Sequence, residues 1–194
     1  MEDRLLRYTY REPASEYLNT FVGKRILDIY LEHNFTSSFF VQVRYNKAAD
    51  EYYVYSTKQE LEILKNIQEN IASSETLKEK YKKYKYDDAV KVYFKEDEDF
   101  KKYINIKKMK RKDGKYIEDV LKKDRLADYI GETYCLNGWR YNLTTSYLGD
   151  KRTYSFQCYI DKGYENIGKL IETVFSYLPE KQKEYGTKNI AYRN

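Results

Sequence analysis

The 194-residue chain has a single histidine, His33, and one imidazole leaves little room for catalysis. A histidine-rich metal site and a two-histidine phosphodiesterase are both excluded. A Ser-His-Asp triad would have to use His33, and no GxSxG elbow accompanies it. Neither GxxxxGK[ST] nor GxGxxG occurs, so no familiar glycine loop cradles a nucleotide phosphate. Cys135 and Cys158 have no neighbour at metal-ligand spacing and read as buried, reduced thiols of a cytoplasmic protein. Carboxylates could hold magnesium for nuclease work, at Glu118 with Asp119 or at Asp87 with Asp88. Adjacent residues on a helix or strand point apart, however, so neither pair is a ready clamp. The "EDED" run at 96–99 would attract cations, yet as a turn it offers little enclosure. The reading is a protein without catalytic residues, metal or cofactor, with a carboxylate-based nuclease as the alternative.

Charge gives the stronger signal. "FKKYINIKKMKRKDGKY", Phe100 to Tyr116, carries eight lysines and arginines and one acid between Lys101 and Lys115. The segment Lys78–Lys115 holds 15 basic and 8 acidic residues, a net charge of +7, while the whole chain is only +5. Positive charge is therefore localised, as steering toward a polyanion requires. Read as a hairpin with "AVKVYFK" around an acidic turn, this stretch places Val92 opposite Ile104 and Val90 opposite Ile106 on an apolar face. The other face then carries Lys91, Tyr93 and Lys95 opposite Asn105, Tyr103 and Lys101, continued by Lys107, Met109 and Arg111. Lysines neutralise phosphates and tyrosine rings stack on bases. The expected nucleic-acid contacts are Lys91, Tyr93, Lys95, Lys101, Tyr103, Lys107, Lys108 and Arg111. The competing reading is a solvated edge strand, since lysine guards edges against aggregation. Lysine also outnumbers arginine, giving point charges without bidentate base reading.

These residues need a scaffold, and periodicity supplies one. "REPASEYLNTFVGK" reads as an N-terminal helix with Pro13 in its first turn, Gly23 at its end, and Tyr17, Leu18, Phe21 and Val22 inward. "RILDIYLEH" alternates as a strand. A strand–turn–strand–helix pattern then occurs three times, over roughly 25–72, 89–130 and 137–178, with almost no identity between copies. In the first, "FFVQVRYN" and "EYYVYS" precede a helix that starts at the capping box "TKQE" and turns Leu61, Leu64, Ile67 and Ile71 inward. The second is the basic hairpin, followed by a helix from about 115 to 130 with Ile117, Val120 and Leu121 inward. The third pairs "GWRYNLTTSY" with "KRTYSFQCYI" across Gly149–Asp150. Its helix carries an apolar stripe of Ile167, Leu170, Ile171, Val174, Phe175 and Leu178. The polar stretch 73–88 is an exposed helix or a linker, and 179–194 an irregular tail. The expected fold is a single α+β domain, helices on an antiparallel sheet.

No apolar run approaches the ~20 residues of a membrane span. The N-terminus "MEDRLLRYTYREP" has no apolar core and is not a secretory signal. Asn34 and Asn142 match the glycosylation pattern by chance, since nothing indicates secretion. Tyrosine is unusually frequent, 24 residues, which suits contact surfaces but also follows from AT-rich codons. The leading expectation is a non-enzymatic, cytoplasmic binding protein that contacts nucleic acid or a nucleoprotein complex. In compactness and composition it has the style of small phage proteins that block host defence nucleases (anti-CRISPR or anti-restriction type) by occupying a site. The alternative is a protein-interaction module such as an immunity, antitoxin-like or structural protein, anchored by Tyr52, Tyr53, Tyr55, Tyr185 and Tyr192.

Overall fold

Alternation of apolar and polar side chains produces most of the strands, and their order decides which faces are covered. The computed structural model describes residues 18–33, 38–84, 89, 92–93, 98–123, 129–130, 139–145, 147, 149, 151–157, 159–160, 162–187 and 190–192. Its strands are β1 (Lys24–His33), β2 (Phe39–Asn46), β3 (Glu51–Thr57), β4 (Ile104–Met109), β5 (Tyr129–Ile130), β6 (Trp139–Thr145), β7 (Arg152–Gln157), β8 (Tyr159–Ile160) and β9 (Ala191–Tyr192). The helices are α1 (Glu60–Ser73), α2 (Glu75–Tyr81), α3 (Arg111–Lys123), α4 (Glu165–Phe175) and α5 (Glu180–Thr187). The main sheet runs β4-β3-β2-β1-β6-β7-β5. Six of its strands pair antiparallel, and the short β5 joins β7 in parallel. The fold is α+β. No helix among the described residues is long and apolar enough to cross a membrane.

One sheet face carries the main core. Leu27, Ile29 and Leu31 of β1 lie opposite Val43, Val41 and Phe39 of β2, and Ile29 and Leu31 lie opposite Leu143 and Tyr141 of β6. Against this face pack Ile117, Val120 and Leu121 of α3 and the α4 stripe, with Ile171, Val174 and Phe175 fully buried. Both stripes are those the helical periodicity predicts. Two glycines let the helices approach closely. A Cβ on Gly114 would sit 2.2 Å from the Tyr52 ring, and one on Gly186 would sit 1.7 Å from the Phe175 ring.

The other face is pinned by polar groups around Arg44, which is 7% exposed. Its guanidinium donates to the Leu18 carbonyl at 2.7 Å, to Gln42 Oε1 at 2.8 Å, and to the Gly23 carbonyl at 3.0 and 2.7 Å. Gln42 Nε2 in turn donates to Asp28 Oδ1 at 2.9 Å. Burial raises the Asp28 carboxyl above the usual carboxylate range, against the opposing pull of Gln42, Arg25 and Arg44. One side chain thus satisfies the carbonyls of the segment entering β1. Leu18 and Phe21 then pack on Tyr30, Phe40 and Tyr55.

Several expectations are corrected. Among the described residues the second hairpin is not seen, and the threefold strand–strand–helix repeat is not supported. Ala89, Val92 and Tyr93 are helical, and β4 pairs with β3 instead, with Ile104 opposite Thr57 and Ile106 opposite Tyr55. The helix after β4 begins at Arg111 rather than near Lys115, ends at Lys123, and leads to β5. Thr57 is no cap: it ends β3 and its Oγ1 accepts from the Phe40 amide at 2.9 Å, while α1 starts two residues beyond Lys58. Among its described side chains Ile63, Leu64 and Ile67 are buried and Ile71 is half-buried, while the side chain of Leu61 lies outside the described ones. The stretch after Ser73 is helical over Glu75–Tyr81. The tail, expected to be irregular, is helical over Glu180–Thr187 and extended over Ala191–Tyr192. Gln182 of α5 is buried, its Oε1 accepting from Ser56 Oγ at 3.0 Å and its Nε2 donating to the Thr57 carbonyl at 2.5 Å. Tyr141 donates to the Gly186 carbonyl at 2.8 Å, and β9 pairs in parallel with β8. Most of the expected N-terminal helix lies outside the described residues. Val22, expected inward, is 74% exposed.

Candidate nucleic-acid interface

Edge position exposes the basic stretch. Among the described residues β4 pairs only with β3, and alternation sends Lys107 and Lys108 to opposite sides of the sheet. Lys107 lies opposite Val54, on the helix-bearing side, while Lys108 lies opposite Tyr53. Both are exposed, as are Lys101, Lys102, Lys110, Arg111, Lys112 and Lys115. Chain continuity from β4 into α3 therefore makes one cationic ledge from an edge strand and the first turns of a helix.

The helix half of the ledge is firmly placed. Tyr177, just beyond α4, accepts from the Lys110 amide at 3.0 Å and donates to Asp113 Oδ2 at 2.5 Å. This satisfies an amide at the helix start that would otherwise lack a partner. Gly114 meanwhile rests on Tyr52, whose hydroxyl bonds to Glu118. Burial, reinforced by the Glu118 carboxylate, drives that hydroxyl far above the ordinary tyrosine range. Tyr147 also bonds Glu118, and Lys122 Nζ stands 3.6 Å from the same carboxylate.

Acidic neighbours occupy two of the expected contacts. Glu51 takes Lys108 and the Tyr53 hydroxyl, which holds the Glu51 carboxyl below and the Lys108 ammonium above their ordinary ranges. Arg111 Nη2 meets Asp50 Oδ2 at 2.5 Å, at the left-handed tip of the β2–β3 turn. By contrast Lys101, Lys107, Lys110, Lys112 and Lys115 form no ion pair among the described residues. The last three were not among the expected contacts. Their signal was in the sequence, because the positive run does not stop where the strand does.

The expected ring platform is not there. Tyr103 is 2% exposed and packs under α1 with Ile63, Leu64 and Ile67. Tyr93 is half-buried against the same cluster, and its hydroxyl accepts from Asn70 Nδ2 at 3.4 Å. Lys91 and Lys95 lie outside the described residues. The aromatic alternative loses its centre too. Tyr52 and Tyr55 are buried and Tyr53 is half-buried and bound to Glu51, whereas Tyr185, its ring 5.3 Å from Trp139, stays exposed. Tyr192 lies in β9. Many tyrosines build the core here, so their abundance does not mark a contact surface.

For catalysis the geometry offers little. Glu118 is committed to two tyrosines and a lysine, and Asp119 is exposed beside it. Asp87 and Asp88 lie outside the described residues. Among the described residues no three His, Cys, Asp or Glu side chains gather as metal ligands would. Asn142 sits mid-strand in β6, its Oδ1 accepting from Ser155 Oγ at 2.8 Å. No family model, curated protein or solved structure matches the chain.

Proposed function

We propose that this is a non-enzymatic protein that binds the phosphate backbone of a nucleic acid, alone or within a nucleoprotein complex, through β4 and the first turns of α3. One observation carries the reading. Lys101–Lys115 holds a net charge of +7 and the rest of the chain −2, given +5 overall, and five of its ammonium groups are exposed without an ion pair among the described residues. Folding does not ask for this arrangement. Cations in the first turn of a helix oppose its dipole by about 0.3–1 kcal/mol each. A polyanion reverses that sign. Since lysine gives no bidentate reading and Tyr103 is buried, contact through phosphates rather than through bases is supported. In a cytoplasmic setting such a protein would act by occlusion, covering a strand that a host nuclease complex must reach.

The test is fluorescence anisotropy with a labelled oligonucleotide. Reversing Lys101, Lys107 and Lys112 to glutamate should abolish binding and leave the melting temperature nearly unchanged, because none of the three is buried or ion-paired among the described residues. Unchanged affinity in that variant would place the contact elsewhere.

A further inference from the structure

We infer that the ledge is built for duplex rather than single-stranded nucleic acid, an inference that rests on the proposed phosphate contact. Single-strand sites combine a basic track with rings on which successive bases stack, each worth about 1–3 kcal/mol by alanine substitution. This ledge has the track without the rings. Tyr103 is 2% exposed beneath α1, Tyr93 is packed on the same cluster, and Tyr53 is tied through its hydroxyl to Glu51. The exposed apolar side chain on β4 is Ile106, 53% exposed, which offers no π-face.

The ammonium groups are also distributed for two backbones. Lys107 projects to one side of the edge strand and Lys108 to the other, and α3 extends the row through Lys112 and Lys115. β4 spans about 17 Å at the usual rise of roughly 3.4 Å per residue. A duplex carries one phosphate charge per ~1.7 Å of axis, counting both strands, so about ten phosphates lie within that length. Groups flanking a single β-strand can therefore meet phosphates from both backbones, which one strand cannot supply. The Lys108–Glu51 pair is exposed on the lysine side, and such pairs are weak enough to exchange for a phosphate.

The experiment compares a labelled 20-base-pair DNA duplex, either of its single strands, and polyglutamate, across a salt series. If the five lysines without ion pairs and Lys108 each meet one phosphate, the duplex slope of log K against log salt is about −5.4, a loss on the order of 2,000-fold between 50 and 200 mM. Duplex should bind at least about tenfold tighter than either strand. Lys107→Gln with Lys112→Gln should flatten the slope by about 2. A single strand that binds as tightly as duplex overturns this inference while leaving the phosphate contact in place. Binding of polyglutamate as tight as duplex, or no binding to either nucleic acid, overturns the proposed function itself.

Discussion

Gly114→Ala tests how the ledge is held, because two effects of opposite sign meet at one position. Gly114 lies within α3, where glycine is about 1 kcal/mol less favourable than alanine, so alanine would ordinarily stabilise the helix. Here the new Cβ would fall 2.2 Å from Tyr52 Cγ and 2.5 Å from both Cδ atoms, about 1.2 Å short of the 3.4 Å at which ordinary contact begins. Cγ is the rooted end of the ring, and Tyr52 is 3% exposed with its hydroxyl bonded to Glu118, so the ring cannot swing aside. The helix must lift instead, loosening Ile117, Val120 and Leu121. Overpacking of this kind costs roughly 1–3 kcal/mol. At the upper end, less the propensity gain, the net loss is about 2 kcal/mol, or about 4–8 °C in Tm for a chain of this size. Differential scanning calorimetry of the wild type, Gly114→Ala, and Gly114→Ala with Tyr52→Leu reads it directly. The double variant should recover part of the loss. A Gly114→Ala protein that melts higher than wild type would refute the close approach.

Gly186→Ala should likewise destabilise, by about 1–3 kcal/mol in urea titration, since its Cβ would enter the Phe175 ring; a neutral result would mean α5 sits farther away. Gln182→Ala strips buried Ser56 Oγ and the Thr57 carbonyl of partners and should cost about 1–3 kcal/mol, whereas an irregular tail would tolerate it. Arg44→Met removes the guanidinium donors of the Gly23 carbonyl and leaves the Leu18 carbonyl only the Phe21 amide at 3.3 Å; amide exchange should accelerate in the segment entering β1, with a loss of about 1–3 kcal/mol. The Asp28 carboxyl is raised by burial, so between its unfolded value of 3.8 and its higher folded value the native state binds more protons. Stability contributed by this group therefore falls as pH rises through that window and stays lowered above it. Asp28→Asn should remove that slope from a pH series of denaturation midpoints, and an unchanged slope would show that Asp28 is not its source.

Local signals settled element types where periodicity was strong. Ile167 to Leu178 repeats at helical spacing, and that stripe is buried. β6 and β7 pair antiparallel as expected, with Gly149 at φ 99° between them, although the described pairing ends at Thr145–Arg152 rather than at a two-residue turn over Gly149–Asp150. Alternation along 104–109 announced a strand but not its partner. Backbone hydrogen bonding is the same for every sequence, so a strand with alternating side chains accepts any neighbour whose apolar residues fall in register. Ala89, Val92 and Tyr93 are helical, and β3 takes the place expected for their segment.

The charge map was legible without coordinates, because net charge is additive along a chain and needs no fold to be counted. Which of those charges stand without ion pairs was not legible. Lys108 and Arg111 are engaged because the β2–β3 turn brings Asp50 and Glu51 to them from some 60 residues away, a distance that only folding closes. Tyrosine shows the same division. Its ring suits a core and a contact surface equally well, and its place is settled by what packs over it: α1 over Tyr103, Gly114 over Tyr52. Composition set the sign and location of the charge, and tertiary packing decided which side chains remain on the surface to use it.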